Sequence, residues 1–255
     1  MDLQDLAYES AQTLGPNGYF EAVRKTRVAL GYDPAQSFDE SALVLVESVR
    51  EPIQVLQGDP LKSVDWRTLR QRLGPQQLYV RKIRRLPKHT PYPQQVEMVR
   101  TMIDNAARIG KRAELVIDIT GVGLPIAQMM PGQVGLHPTR ILITSGNEVT
   151  RANGDWRVPK KVLVGLLDSH LNNGELALPA LSARGNTPDD LEIKELKKQM
   201  QNFVAGYSAN GSATYAASGQ GKDDLVLALS YAVFALSERR GRNSYSVTDL
   251  STIIS

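Results

Sequence analysis

The stretch that most limits what this 255-residue chain can become is an apolar run with one acid inside it. Leu115, Val116, Ile117 and Ile119 follow one another almost without a break, the pattern of a strand buried on both faces. Asp118 interrupts them. Thr120, Gly121, Val122 and Gly123 close the run, and Leu124 to Met130 reads as the first turns of a helix with Pro125 near its start. A carboxylate in such a strand needs a cation, a metal or hydrogen-bond donors, because an isolated buried charge is too costly. Either the following turn supplies the donors, or other acids converge on Asp118 to form a site.

Three further acids have suggestive placements. Arg27 to Asp33 reads as a strand delivering Asp33 at its carboxyl end, and Ser41 to Glu47 as a second, antiparallel strand after a turn containing Asp39. Asp33 then stands at the tip of a hairpin, although an Asp before Pro34 is also an ordinary turn former. Leu225 to Ala235 is apolar nearly all round, as in a buried helix, and Asp223 and Asp224 precede it. One Asp there is explained as an N-cap; two in succession are less so.

The intervening pattern supplies a scaffold. A helix is expected over Leu3–Leu14 and another around Val64–Leu73, between Gly-Pro breaks. Leu78 to Leu86 alternates apolar residues with Arg81, Arg84 and Arg85, predicting a strand with one wet, basic face. A helix from Tyr92, a buried strand Arg140–Thr144 and a polar loop from Arg151 to Arg157 follow. Beyond them come a helix opened by Val158, a short strand at Glu175–Leu178, and a helix over Asp189–Phe203. A hairpin is expected around Asn210–Ala217, and residues 239–255 read as a basic, polar tail. The expected organisation is a helical extension over 1–26, a core domain over 27–238 and the tail.

Composition narrows the chemistry. The chain has no cysteine, so disulfides and thiolate metal sites are excluded. Its three histidines, His89, His137 and His170, show no metal-ligand spacing, which leaves oxygen ligands and hard cations. No apolar run approaches the roughly 20 residues that span a bilayer, and the acidic amino terminus lacks a signal peptide's features. There is no Walker A motif, because Gly221 and Lys222 are followed by Asp. A net charge of +3 is only mildly permissive of nucleic acid. Clustered carboxylates repel one another unless a divalent cation neutralises them. Two such cations roughly 4 Å apart can activate a water and stabilise the leaving oxygen of a phosphodiester. Together, the acids favour metal-dependent phosphoryl chemistry.

Four blocks, Gly31–Val44, Val116–Gly123, Trp156–Lys161 and Lys222–Leu229, resemble the nuclease domain of tailed-phage large terminases and occur in that family's order. The resemblance covers about residues 27–238 and is most specific around Asp118 and Asp223–Asp224. It implies an α/β, ribonuclease-H-like mixed sheet flanked by helices, similar to the Holliday-junction resolvases. The implied activity is cutting double-stranded concatemeric DNA during genome packaging in the cytoplasm of a bacterial host. By motif position Asp33, Asp118 and Asp224 would be catalytic metal-binding acids, with Asp223 an additional ligand, Asp39 a weaker candidate and Mg²⁺ or Mn²⁺ in a two-metal site. Arg81, Arg84, Arg85, Arg151, Arg157, Lys160 and Lys161 are candidates for phosphate contacts, although solvated surface is the commoner use of any one such charge.

The chain departs from the family in one respect: nothing before Asp33 corresponds to the packaging ATPase of a full large terminase. The expectation is therefore a separately encoded or excised nuclease domain, or a remnant, with a portal, a small terminase subunit and a separate ATPase as candidate partners. Two rivals share the motifs: a junction resolvase, and a non-catalytic packaging module that binds portal or ATPase.

Overall fold

Alternating and continuous apolar patterns both become strands in the computed structural model, which describes residues 8–10, 24–35, 39–55, 70–207, 213–217 and 222–237. The amino-terminal half contains β1 (Tyr8–Ser10), β2 (Lys25–Asp33), β3 (Ser41–Arg50), β4 (Pro52–Val55), β5 (Arg70–Leu73) and β6 (Gln77–Leu86). Next come α1 (Tyr92–Arg108), β7 (Ala113–Asp118), α2 (Gly123–Val134), β8 (Thr139–Thr144), β9 (Thr150–Ala152) and β10 (Asp155–Pro159). The remainder is α3 (Lys160–Asn172), β11 (Leu176–Ala177), α4 (Pro188–Asn202), β12 (Phe203–Tyr207), β13 (Ala213–Ala217) and α5 (Asp224–Leu236).

The chain divides into two compact units, one of residues 1–27 and 48–77, the other of 28–47 and 78–255. In the smaller unit β1, β5 and β4 form an antiparallel sheet in that order. This corrects two expectations. Tyr8–Ser10 and Arg70–Leu73 were expected in helices, yet they pair with each other as strands. Local helix propensity is worth only tenths of a kcal/mol per residue, and cross-strand pairing outweighs it. The rest of both expected helices lies outside the described residues, as does the tail.

The larger unit is built on a mixed sheet in the order β11-β6-β3-β2-β7-β8-β10-β9. β2, β7, β8 and β10 run parallel to their neighbours in that series, and β9 closes the edge antiparallel. Parallel neighbours need crossovers, which α1 supplies before β7 and α2 before β8. Residues 151–157, expected as a loop, instead form the β9–β10 hairpin around Asn153 (φ 54°) and Gly154 (φ 85°). A turn with two positive φ values matches the twist of a tight hairpin, so the Asn-Gly signal marks a strand pair. β10 also runs through Pro159, and α3 starts at Lys160. Of the hairpin expected over Asn210–Ala217, residues 213–217 form β13, whose partner is β12 rather than a strand within that range. β12 takes Phe203 from the expected helix, and residues 210–212 lie outside the described residues.

The side-chain period of two sorts the sheet's residues onto two layers. Leu30, Tyr32, Leu115 and Ile117 pack with α1 and α2 residues such as Val96, Val99, Ile126 and Met130. Ala29 and Val116 face the other way, toward α3, α4 and α5. α5 is the centre of that layer, with every residue from Asp224 to Leu236 buried. A helix apolar on all sides has only one stable place, between a sheet and other helices.

Candidate active site

The sheet register brings the first two acids together. β2 and β7 are parallel neighbours paired through Tyr32 and Ile117, so Asp33 and Asp118 are the next residues on adjacent strands. Alternation sends both to the layer that holds Ala29 and Val116, the one occupied by α5. Gly31 sets how closely that helix approaches. A Cβ at residue 31 would lie 1.8 Å from the Ala228 carbonyl oxygen, so only glycine lets β2 and α5 come this near. Gly123 does the same where α2 begins: a Cβ there would lie 1.7 Å from the Asp118 carbonyl oxygen.

The turn after Asp33 is pinned from α1. Buried Gln95 donates to the carbonyls of Ala35 (3.0 Å) and Thr90 (2.7 Å), and accepts from the hydroxyls of Ser41 (2.8 Å) and Tyr32. Ser41 Oγ in turn accepts from the Ala35 amide at 2.9 Å.

Each acid has a distinct environment. Asp118 Oδ1 accepts from the Thr120 amide at 2.7 Å, as the turn-former reading expected. Its Oδ2 faces the hydroxyl of buried Tyr231 at 3.3 Å. Burial raises the proton affinity of Asp118, and these donors offset part of the rise. Asp224 is buried at the start of α5; its Oδ1 accepts from Gln199 Nε2 at 2.8 Å, while Oδ2 has no hydrogen-bond partner among the described residues. Burial is again the main cause of its raised pKa. Asp223 occupies the N-cap position of α5, but its side chain caps nothing. It pairs with Lys160 Nζ at 2.7 Å instead.

Asp33 is the acid on which the others converge. Loss of water around its carboxyl, then the negative charges of Asp118, Asp224 and Asp223 in that order, hold its pKa well above the usual carboxylate range. Lys160 opposes them. The same field, after burial, pushes the Tyr231 phenol upward. Asp33, Asp118, Asp223 and Asp224 therefore share one electrostatic pocket, whereas Asp39 is exposed in the turn before β3. Among the described residues no three Asp, Glu or His side chains form a ready-made metal cage. The donor set still suits a hard cation, with three carboxylates raising Asp33 and one buried oxygen of Asp224 left unpartnered among the described residues.

The basic candidates separate into two groups. Arg81 pairs with Glu47 (2.8 Å) and lies 4.7 Å over the Tyr79 ring, Arg84 pairs with Asp189 (2.5 Å), and Arg85 bridges Glu40 (3.1 Å) and Glu192 (2.7 Å). Their charge is matched within the fold. Glu40 also holds Lys222 at 2.7 Å, tying the β2–β3 turn to the residue just before Asp223. Arg151 and Arg157 are exposed on the β9–β10 hairpin, with the Arg151 guanidinium 5.3 Å above the Trp156 ring. Lys161 bonds Asn147. Two residues escape a reading of the sequence, Gln199 and Tyr231. Tyr231 has a signal: it lies seven residues, two helical turns, after Asp224 on an otherwise apolar helix. Gln199 has none.

A mixed sheet with helices on both faces, and acids at the carboxyl ends of adjacent central strands, is a ribonuclease-H-like α/β fold. Solved structures share it. The large terminase nuclease from thermophilic phage G20c with bound magnesium superposes at a TM-score of 0.51, with 18% identity over 84% of this chain and 85% of that one. The form with bound cobalt gives 0.51 and 19% identity over the same shares. No family model and no curated protein matches the chain.

Proposed function

We propose that the chain is a divalent-metal-dependent endonuclease that cuts double-stranded, concatemeric phage DNA during genome packaging. The observation that carries this reading is the crowding of Asp118, Asp224 and Asp223 around Asp33 at the carboxyl ends of the central strands. The fold shared with the magnesium- and cobalt-bound terminase nuclease supports it. Acids buried and crowded in this way cost stability unless they take up protons or a cation, and a binding module has no need of them.

Asp33, Asp118 and Asp224 would hold Mg²⁺ or Mn²⁺, with Asp223 available for a second ion. The metals would supply Lewis-acid activation of water and stabilisation of the leaving oxygen. The chain's own residues provide the rest. Thr120 and Tyr231 orient the Asp118 carboxylate, and Lys160 supplies a fixed positive charge beside Asp223. Arg151, Arg157 and Lys161 would meet backbone phosphates, which positions a duplex without reading its sequence. A packaging role implies a packaging ATPase, on the same or another polypeptide, with a portal and a small terminase subunit as partners, in the cytoplasm of an infected bacterium. Among the described residues no helix is long and apolar enough to cross a membrane.

The test is cleavage of supercoiled plasmid by the purified chain with Mn²⁺, Mg²⁺ or EDTA, beside Asp118→Asn. Nicking or linearisation that needs metal and disappears in the variant is the expected result. Cutting that survives Asp118→Asn would remove this site from the chemistry. Preferential cleavage of four-way junctions over linear duplex would replace the packaging substrate with a recombination intermediate.

A further inference from the structure

The start of α5 lacks a side-chain cap of its own, although Asp223 stands at the N-cap. The missing acceptor comes from another helix. Gln199, on α4 and almost wholly buried, accepts the Leu225 amide at its Oε1 (2.9 Å). That bond fixes which way the carboxamide faces, because a backbone N–H can be met only by the oxygen. The amino group is thereby turned toward Asp224 and donates to Oδ1 at 2.8 Å, with its second hydrogen reaching Glu195 Oε1 at 3.5 Å. Asp224 Oδ2 has no hydrogen-bond partner among the described residues.

We infer that Gln199 is a positioning residue for the metal site, fixing the Asp224 carboxylate so that Oδ2 alone is presented to the cation. This rests on the reading of Asp224 as a metal ligand and adds a residue outside the acid cluster. Two of the three contacts of the Gln199 carboxamide come from opposite sides of one rigid group: one fixes the helix start, the other fixes the carboxylate that starts the helix. Rotation of Asp224 about its terminal bond would break the 2.8 Å bond, so the carboxylate is held before any ion arrives. Carboxylate ligands held in this way bind metal more tightly because less freedom is lost on binding.

The experiment is Mn²⁺ titration calorimetry on the full chain without DNA, with thermal melts to show folding. Gln199→Met keeps the volume and removes both bonds; it should weaken Mn²⁺ binding by about tenfold or more. Gln199→Asn keeps a carboxamide but withdraws it by one methylene, and should show a loss of the same order even if the Met variant does not fold. In an Asp224→Asn background the Gln199→Met change should have less than about a twofold effect, since the group it acts through is gone. Wild-type affinity in a folded Gln199 variant overturns the inference, and so does an undiminished loss in the Asp224→Asn background. Wild-type protein that binds no Mn²⁺, or binds it equally well after Asp118→Asn and Asp224→Asn, overturns the nuclease reading and this inference with it. If Asp118→Asn and Asp224→Asn weaken binding while the Gln199 variants do not, only the role of Gln199 falls, so the two failures are distinguishable.

Discussion

Two helices of this protein carry the same dipeptide at their amino ends and use it in opposite ways. α4 opens at Pro188 and carries Asp189 and Asp190 in its first turn, whereas α5 opens at Asp224 with Asp223 at its N-cap. At α4 every charge is answered. Asp190 accepts from the amide and hydroxyl of Ser182 (2.7 and 2.5 Å) and of Thr187 (2.8 and 2.7 Å), which holds its pKa well below the usual range. Asp189 lies at the surface between Lys82 and Arg84, and they lower its pKa in turn. At α5 Asp223 is answered by Lys160, but Asp224 is left short of donors. Asp224 is buried with one oxygen unpartnered among the described residues, and both acids add to the field that raises Asp33. Saturated donors make an acid a structural element; a carboxylate short of donors, beside others like it, favours a cation. The helix-cap explanation of paired aspartates fits α4 and fails at α5, although the sequence motif is the same.

Four experiments sharpen or break that contrast. The largest effect is expected from Asp224→Asn: metal-dependent plasmid cleavage should fall to background while the metal-free protein melts no lower than wild type, because a repelling charge has been removed. A variant that still cuts would put Asp224 outside the site. Gly31→Ala should come next. Its methyl cannot fit 1.8 Å from the Ala228 carbonyl, so β2 and α5 must part, at a typical overpacking cost of about 1–3 kcal/mol. A lower melting temperature together with reduced cleavage is the expected pair of readings, and unchanged values for both would show that the approach of α5 is not critical.

Asp190→Asn should lower the melting temperature at neutral pH and spare cleavage. Its sign with pH is set by the depressed pKa. The stabilisation is present above the unfolded carboxylate pKa of about 3.9 and is lost as pH falls through the lower folded value. The melting difference between wild type and variant should therefore be constant near pH 7 and close in acid; a gap that widened on acidification would contradict the assignment. The smallest change belongs to Arg157→Ala. Removing one exposed charge that meets a phosphate should weaken duplex binding equally for all sequences and reduce the slope of log affinity against log salt by about one. A sequence-dependent weakening would mean that the hairpin reads bases.

Much of this is legible in the linear chain. The continuous apolar run through Ile117, the all-round apolar α5 and the alternation along β6 each give their element unaided, because burial on two faces, all faces or one face leaves a different period in the sequence. The four acids can be named for the same reason: each sits at the end of such an element, where an apolar pattern makes a charge conspicuous. β1 and β5 are not legible, since short strands with little pattern are decided by the partner they meet. Nor is the fate of Arg81, Arg84 and Arg85, whose carboxylate partners lie between 34 and 107 residues away along the chain.

The sequence by itself determined most elements of the core, β10 excepted, and which of them carry an acid, because hydrophobic period and local turn chemistry act over a few residues. Only the tertiary structure decided which acids meet, how closely α5 approaches β2, and that Gln199 rather than Asp223 caps the helix. Those outcomes depend on register, on a missing Cβ at Gly31 and on groups far apart in the chain, and none of them leaves a local mark.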